Sequence, residues 1–197
     1  MAKRKKKAKG LSFIKRSMVV LLAFAGTILL LGHSVEQERS EREAEFNDRQ
    51  SFIDAVATYA VPLQETHGIK PSIAIAQAIV ESNWGKSGLS VRENNYFGIK
   101  GSASEPSYAT LEYDDEWIEI RASFRTYSSM EESVTDYANL LAGGTDWNPN
   151  LYQPVIEAED YKEAAHALKS AGYATDPSYP EKLIDIVEQY SLYEYDN

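Results

Sequence analysis

The 197-residue sequence predicts an α+β domain that is mainly helical, carries one β-hairpin and follows an N-terminal hydrophobic helix. Three patterns predict this: helical spacing of apolar residues beyond residue 51, one stretch of strand-like alternation near residue 118, and an uncharged run close to the N-terminus. The predicted segments are a basic cytoplasmic segment 1–17, a signal anchor or signal peptide 18–34, a charged stalk 35–48 and a folded domain 49–197.

Charge is divided unevenly along the chain. Residues 1–32 hold eight of the 20 Lys and Arg residues and no acid, which leaves 12 basic against 30 acidic residues, or −18, for residues 33–197. Such an acidic body is repelled by a phosphate backbone, so we expect no nucleic-acid partner. The chain has no cysteine, and its three histidines show no metal-binding spacing. We therefore expect neither a metal nor a cofactor.

An uncharged run from Met18 to Leu31 follows the basic residues. A run of this length is typical of the apolar region of a signal peptide, whereas about 20 residues span a bilayer comfortably. We expect an uncleaved anchor with the domain outside the cytoplasm, since basic flanks stay inside. Cleavage near Gly32 and Ser34, where the signal is weak, would instead give a secreted protein.

Apolar periodicity and capping residues predict five helices within the domain. They are residues 51–66 with a kink at Pro62, residues 71–84 ending at Gly85, residues 129–143, residues 160–171 and a last helix around 183–190. Alternation over 109–113 and 117–124 predicts two strands joined by the acidic turn 114–116. We expect residues 86–108 to be irregular.

Glu81 is the candidate for chemistry. It lies in the last turn of the helix 71–84, and its helical neighbours Gln77, Val80 and Trp84 carry no charge. The helix dipole and the adjacent ring both disfavour a carboxylate, so we expect a raised pKa and a carboxyl group able to donate a proton near neutral pH. A solvent-facing glutamate near a helix end is the alternative that spacing alone leaves open.

Three blocks of sequence, in order, resemble the glucosaminidase family of peptidoglycan hydrolases, glycoside hydrolase family 73. The first reads PSIAIAQAIVESNWGKSGLSVRENNYFGIKG at 71–101. The others are Glu112-Tyr113 with Phe124-Arg125, Tyr127, Glu132-Ser133 and Asp136-Tyr137, and then AGYATDP at 171–177 with Tyr179. The resemblance implies a lysozyme-like fold. It also implies an endo-β-N-acetylglucosaminidase that hydrolyses the β-1,4 bond on the reducing side of N-acetylglucosamine in peptidoglycan.

The resemblance also implies catalytic roles. Glu81 matches the family's general acid, and Glu112 is the best match to its second carboxylate. Glu116 remains an alternative, because an acidic turn replaces the family's usual turn after Glu-Tyr. Tyr173 matches a tyrosine near the acid that would bind the N-acetyl group or position water. Either a water activated by the second carboxylate or the substrate's own N-acetyl group could attack, and the sequence does not choose.

The expected sugar-contacting residues are Gln77, Trp84, Asn95, Tyr96, Phe97 and Tyr127. For Phe97 a core position, and for Trp84 a packing role beside the acid, remain open. Three other functions also remain: a lytic transglycosylase, a muramidase and a non-catalytic glycan-binding scaffold. In each case the expected partners are peptidoglycan strands and, through the N-terminal helix, a membrane.

Overall fold

The computed structural model describes residues 36–196 of the chain, which divides into the units Met1–Asp48 and Arg49–Asn197. In the first unit residues 36–48 are helical and exposed, with ion pairs one turn apart between Arg39 and Glu43 and between Glu38 and Arg42. The predicted anchor or signal segment 18–34 and the basic segment lie outside the described residues. No helix among residues 36–196 is both long enough and apolar enough to cross a membrane.

The second unit is mainly helical with one antiparallel hairpin, which confirms the predicted α+β class. Its helices are α1 (49–60), α2 (Leu63–His67), α3 (Pro71–Ser82), α4 (Gly88–Glu93), α5 (Met130–Gly143), α6 (Gln153–Glu157), α7 (Tyr161–Ser170) and α8 (Tyr179–Gln189). The strands are β1 (Ser107–Asp114) and β2 (Glu116–Ser123), and a 3₁₀ helix at Leu192–Tyr195 follows α8.

The five predicted helices are present, and two of them start at the predicted capping residues. The Ser129 hydroxyl accepts the N–H of Glu132 at the start of α5, and Asp160 accepts two N–H groups at the start of α7. The predicted break at Pro62 is a turn between α1 and α2. The short helices α4 and α6 were not predicted, because one or two turns are too short to show a period.

Helix α3 is the centre of the domain. Ten of its twelve residues are buried, and it packs against α7, α8 and the 3₁₀ helix. Ala74, Ala76 and Ala78 are fully buried small residues that let these elements approach closely. α3 ends at Ser82, before the predicted Gly85, because Asn83 and Trp84 adopt positive φ angles of 49° and 61°.

The hairpin is regular and reaches back to the helices. Its register runs without a bulge from Ser107 opposite Ser123 to Asp114 opposite Glu116. Near its tip, the backbone N–H of Tyr113 donates a 2.9 Å hydrogen bond to the Thr175 hydroxyl. Since Thr175 lies between α7 and α8, this bond joins the hairpin to the helical part of the domain.

Candidate active site

A cleft of about 300 Å³ lies where the hairpin meets the helices. Its walls come from the end of α3, the segment 98–100, both strands, the segment 172–176 and the start of α8. Seven of its lining residues have titratable side chains: Glu81, Lys100, Glu112, Tyr173, Asp176, Tyr179 and Lys182. A concave site with several convergent titratable groups is the usual form of an enzyme active site.

Glu81 reaches this cleft from the last turn of α3. Burial raises the pKa of its carboxyl group from 4.5 to about 7, against the opposing effects of a Tyr179 hydrogen bond and the Lys182 charge. The expected direction of the pKa shift is therefore confirmed, but its main cause is removal from water. Trp84 does not line the cleft, and its ring packs against Phe52 and Tyr190.

The two oxygens of Glu81 have different surroundings. Oε1 accepts a 2.7 Å hydrogen bond from the Tyr179 hydroxyl. Oε2 lies next to Gly98, whose φ of +64° suits glycine, and a Cβ placed there would come within 3.4 Å of this oxygen. Oε2 has no hydrogen-bond partner within residues 36–196 and is not a buried unpaired atom, so it is the oxygen that is accessible to a substrate in the cleft.

Gln77 lies one helical turn before Glu81 and is fully buried. Its Oε1 accepts a 2.6 Å hydrogen bond from the Tyr137 hydroxyl, and its Nε2 donates at 3.1 Å to the Tyr179 hydroxyl. The structure therefore places this expected sugar contact beneath Glu81, where it connects two tyrosines and does not face the cleft.

Glu112 on β1 lines the same cleft as Glu81 and forms an ion pair with Lys100. The structure thus brings together the two carboxyl groups that the resemblance implied as catalytic. Glu116, the alternative, lies at the exposed start of β2 and is not among the residues that line the cleft.

Tyr173 also lines the cleft, at the start of the segment between α7 and α8. Its hydroxyl donates a 2.9 Å hydrogen bond to the backbone carbonyl of Phe97, and burial raises its pKa well above the ordinary value. Tyr173 is therefore a neutral phenol whose proton is already engaged, so its oxygen is available to a ligand as an acceptor.

The remaining expected sugar contacts do not line the cleft. Trp84 and Tyr96 both pack against Phe52, with ring centroids 6.2 Å apart in each pair, and the Arg49 guanidinium lies over Trp84. The reversal of the chain at Asn83 and Trp84 turns the tryptophan ring away from the face of α3 that carries Glu81.

Asn95, Phe97 and Tyr127 are buried and have structural contacts. The Asn95 side chain donates to the carbonyls of Ile99 and Arg125 and accepts the N–H of Ile99, which fixes the loop. The other two rings lie in the core and beside α5: Phe97 stacks on Tyr137 at 4.1 Å, and the Tyr127 hydroxyl donates to Asp136.

The sequence analysis assigned no role to several residues that line the cleft. Leu111 and Trp117 are 61% and 52% exposed on the hairpin, where an aromatic face can stack on a sugar. Strand alternation gave no signal for this, since the register puts both on the face of the hairpin opposite to that of Glu112. Tyr179 and Lys182 are three residues apart on α8, a spacing that places both on one helical face.

Within residues 36–196, no three His, Cys, Asp or Glu side chains come close enough to form a metal site. The charged groups of the cleft are instead paired with each other: Lys182 binds Asp176, as Lys100 binds Glu112. The arrangement offers one partly buried carboxyl group, that of Glu81, with a pKa of about 7, and two carboxyl groups that are each held by a lysine.

The family model described as mannosyl-glycoprotein endo-beta-N-acetylglucosaminidase matches residues 57–192. The exo-glucosaminidase LytG of Bacillus subtilis is 44% identical over all of this chain and 70% of its own length. A probable N-acetylmuramidase of Lactococcus lactis is 36% identical over 98% of this chain. The match covers 46% of the length of that protein, so this chain spans about half of it. The catalytic domain of the Listeria monocytogenes autolysin Auto superposes with a TM-score of 0.67 and 37% identity, covering 82% of this chain and 97% of that domain. This chain belongs to the glucosaminidase family of glycoside hydrolases.

Proposed function

We propose that this chain is a peptidoglycan hydrolase that cleaves the β-1,4 bond after N-acetylglucosamine, with Glu81 as the general acid. The observation that carries the proposal is a carboxyl group with a pKa near 7 in an open cleft. A general acid works best when its pKa lies near the operating pH. Family membership and the similarity to a named exo-glucosaminidase support the glycan substrate.

In the proposed reaction, Glu81 gives its proton to the glycosidic oxygen as the bond from that oxygen to the anomeric carbon breaks. The carboxylate left behind is stabilised by the Tyr179 hydroxyl and by the charge of Lys182. Water supplies the hydroxyl group that ends on the anomeric carbon, and its other proton passes to a base. Exchange with solvent then returns a proton to Glu81 and removes one from that base.

Glu112 is the proposed base that takes the proton from water. Its carboxylate lines the cleft with Glu81, and the Lys100 ammonium group holds it in place. A water would then attack from the face opposite the leaving group and invert the anomeric configuration. Attack by the substrate's N-acetyl group is the other route, and it would retain that configuration. NMR of the first product distinguishes them, because inversion of a β-linked sugar releases the α-anomer.

Leu111, Trp117 and the Tyr173 hydroxyl oxygen are the proposed sugar contacts. Trp117 provides an exposed ring face, and Tyr173, whose hydroxyl binds the Phe97 carbonyl, lines the cleft together with Glu81. This set replaces the six sequence-based candidates, whose side chains lie in the core or in the aromatic cluster beside α1. We retain the endo mode of cleavage implied by the family resemblance, and the size distribution of released fragments tests it.

The N-terminal segment is the proposed membrane anchor, with the domain outside the cytoplasm. Support comes from the sequence alone, in the basic residues followed by an uncharged run. Fractionation of cells that express the full chain, compared with a variant lacking residues 1–34, tests this. We expect the full chain in the membrane fraction, and its recovery in the medium at lower mass would instead show cleavage.

The central experiment digests purified peptidoglycan with the full chain and identifies the new ends by mass spectrometry. We expect reducing N-acetylglucosamine ends. Anhydro-muramic ends would indicate a lytic transglycosylase, and reducing muramic ends a muramidase. Glu81→Gln should lose at least about 100-fold in rate, the low end of general-acid catalysis. Glu188→Gln, an exposed glutamate paired with Lys162, is the matched control that should keep full rate.

Full activity in Glu81→Gln would contradict the proposed role of this residue. Binding to peptidoglycan without any bond cleavage by the unmutated chain would instead favour a scaffold.

A further inference from the structure

The hydrogen bonds beneath Glu81 all run in one direction. Tyr137 donates to Gln77 Oε1 at 2.6 Å, Gln77 Nε2 donates to the Tyr179 oxygen at 3.1 Å, and Tyr179 donates to Glu81 Oε1 at 2.7 Å. The lengths agree with this order, because 2.6 Å is typical of O–H···O and short for N–H···O, whereas 3.1 Å is ordinary for N–H···O.

The direction of these bonds restricts where a proton on Glu81 can lie. The oxygen of Tyr179 already accepts an N–H from Gln77, so its single proton is directed at Glu81 Oε1. A carboxyl proton on Glu81 Oε1 would force the Tyr179 proton to turn away from Glu81. Gln77 offers that hydroxyl proton no acceptor, because its N–H group faces Tyr179. A buried hydroxyl proton without an acceptor is unfavourable. The carboxyl proton therefore belongs on Oε2, the oxygen beside Gly98.

We propose that Gln77, Tyr137 and Tyr179 form a positioning relay that places the catalytic proton of Glu81 on Oε2, the oxygen on the cleft side. This inference rests on the proposed function, in which Glu81 is the acid. It assigns to Gln77, a buried residue with no contact in the cleft, control over which carboxyl oxygen carries the proton.

The orientation of the Gln77 amide is the point of control. If the amide rotated by 180°, its oxygen would face the Tyr179 hydroxyl, and Tyr179 would donate its proton to Gln77. The Tyr179 oxygen could then accept a proton from Glu81 Oε1. The carboxyl proton would therefore lie on Oε1, away from the cleft. Tyr137 opposes this rotation, because its fully buried hydroxyl would then face an N–H group and lose its acceptor.

The other titratable groups that line the cleft are already engaged, so they influence the affinity of Glu81 for its proton without selecting an oxygen. These pairs are Tyr173 with the carbonyl of Phe97, Lys182 with Asp176, and Lys100 with Glu112.

Tyr137→Phe tests the relay at its far end. The phenyl ring keeps the stack on Phe97, but Gln77 loses the donor that fixes its amide. The loss of about one hydrogen bond should lower kcat about fivefold to tenfold with KM unchanged. The basic limb of the pH profile of kcat should also move to higher pH. Once the Gln77 amide can rotate, the proton of Glu81 can lie on either oxygen, and this second arrangement stabilises the protonated carboxyl group.

Tyr152→Phe is the matched control, since it removes the hydroxyl of another largely buried tyrosine, and that hydroxyl takes no part in the relay. It should leave kcat, KM and the pH profile unchanged. Gln77→Met, of similar length and without polar groups, should reproduce Tyr137→Phe and replaces it if the phenylalanine variant does not fold. A folded Tyr137→Phe or Gln77→Met variant with an unmoved pH limb, or with a change in KM alone, overturns the proposal.

A spectroscopic test is independent of turnover. With ¹³C-labelled glutamate, the infrared difference between the unmutated chain and Glu81→Gln at pH 5 isolates the carbonyl stretch of protonated Glu81. If the proton is on Oε2, Oε1 is the carbonyl oxygen that accepts from Tyr179, so its frequency is low and should rise in Tyr179→Phe. A band at the unbonded frequency, or no rise, overturns the relay. Failure of the proposed function would appear separately, as an inactive unmutated chain or an active Glu81→Gln.

Discussion

Tyr179 donates a 2.7 Å hydrogen bond to Glu81 from a position 98 residues further along the chain. This bond favours the carboxylate, whereas burial of Glu81 favours the neutral acid, and burial is the larger effect. The result is a carboxyl group with a pKa of about 7, suited to donate a proton at neutral pH.

The first prediction concerns the pH dependence of the rate. A general acid must carry its proton, so kcat should fall as pH rises through about 7, the pKa of Glu81. Initial rates on solubilised peptidoglycan between pH 5 and 9 measure this. A basic limb centred between pH 4 and 5 would show that Glu81 titrates as an ordinary glutamate and would contradict the structure.

The second prediction concerns stability. The folded-state pKa of Glu81 lies above its unfolded value of 4.5. Between about pH 4.5 and 7 the folded chain therefore binds more protons than the unfolded chain. As pH rises through this range, Glu81 lowers the free energy of unfolding. Glu81→Gln should therefore unfold with a free energy about 1–3 kcal/mol higher than the unmutated chain at pH 8, and with little difference at pH 4. Denaturant titration at both pH values tests this, and an unchanged midpoint at pH 8 would count against a buried carboxyl group.

The third prediction concerns Lys182. Its charge lowers the pKa of Glu81, so Lys182→Met should raise that pKa and move the basic limb of kcat to higher pH. Release of Asp176 from its ion pair acts in the same direction, because it leaves a negative charge in the cleft. Lys162→Met, which removes a lysine paired with exposed Glu188, should leave the pH profile unchanged. A limb that moved to lower pH in Lys182→Met would exclude this electrostatic role.

The fourth prediction concerns Gly98. An alanine there must adopt a φ near +64°, and its Cβ would lie 3.4 Å from Glu81 Oε2. Gly98→Ala should cost about 1 kcal/mol of stability and also lower kcat, because the methyl group occupies space beside the proton donor. Gly143→Ala, at the end of α5 with open space around it, should leave kcat unchanged and should not lower stability. Thermal unfolding and initial rates separate the two effects, and a stable, fully active Gly98→Ala would show that Oε2 is not the donating atom.

The fifth prediction concerns salt. The chain from residue 33 carries −18, so a cell wall rich in anionic polymers should repel it. Moderate salt screens this repulsion, and digestion of such walls should become faster, whereas cleavage of a small neutral glycan should not respond. A steady decrease of wall digestion from low salt upward would contradict the expectation.

Local patterns were sufficient to predict the main elements of the domain. The capping residues Ser129 and Asp160 predicted two helix starts, and strand alternation predicted the hairpin to within two residues at each end of its strands. Each of these signals depends on neighbours in sequence, so the final packing did not need to be known. The location of Glu81 in the last turn of α3 follows from the same kind of signal.

The surroundings of Glu81 could not be predicted in this way. Gln77 and Trp84 share a helical face with Glu81 in a sequence plot, but α3 ends at Ser82 and the chain reverses at Asn83. This reversal moves the tryptophan ring into another cluster, and the groups that adjust the acid come from α8 instead. Contacts between residues about 100 positions apart leave no local period, so only the folded chain reveals them.

The distance in sequence between Glu81 and α8 has a consequence for biosynthesis. Glu81 is synthesised early in translation, but Tyr179 and Lys182 follow about 100 residues later. Until α8 packs against α3, the acid has neither its hydrogen-bond donor nor the neighbouring positive charge. A chain that is synthesised only as far as α7 should therefore be inactive, and a hydrolase that can damage the wall becomes active only after α8 has folded against α3.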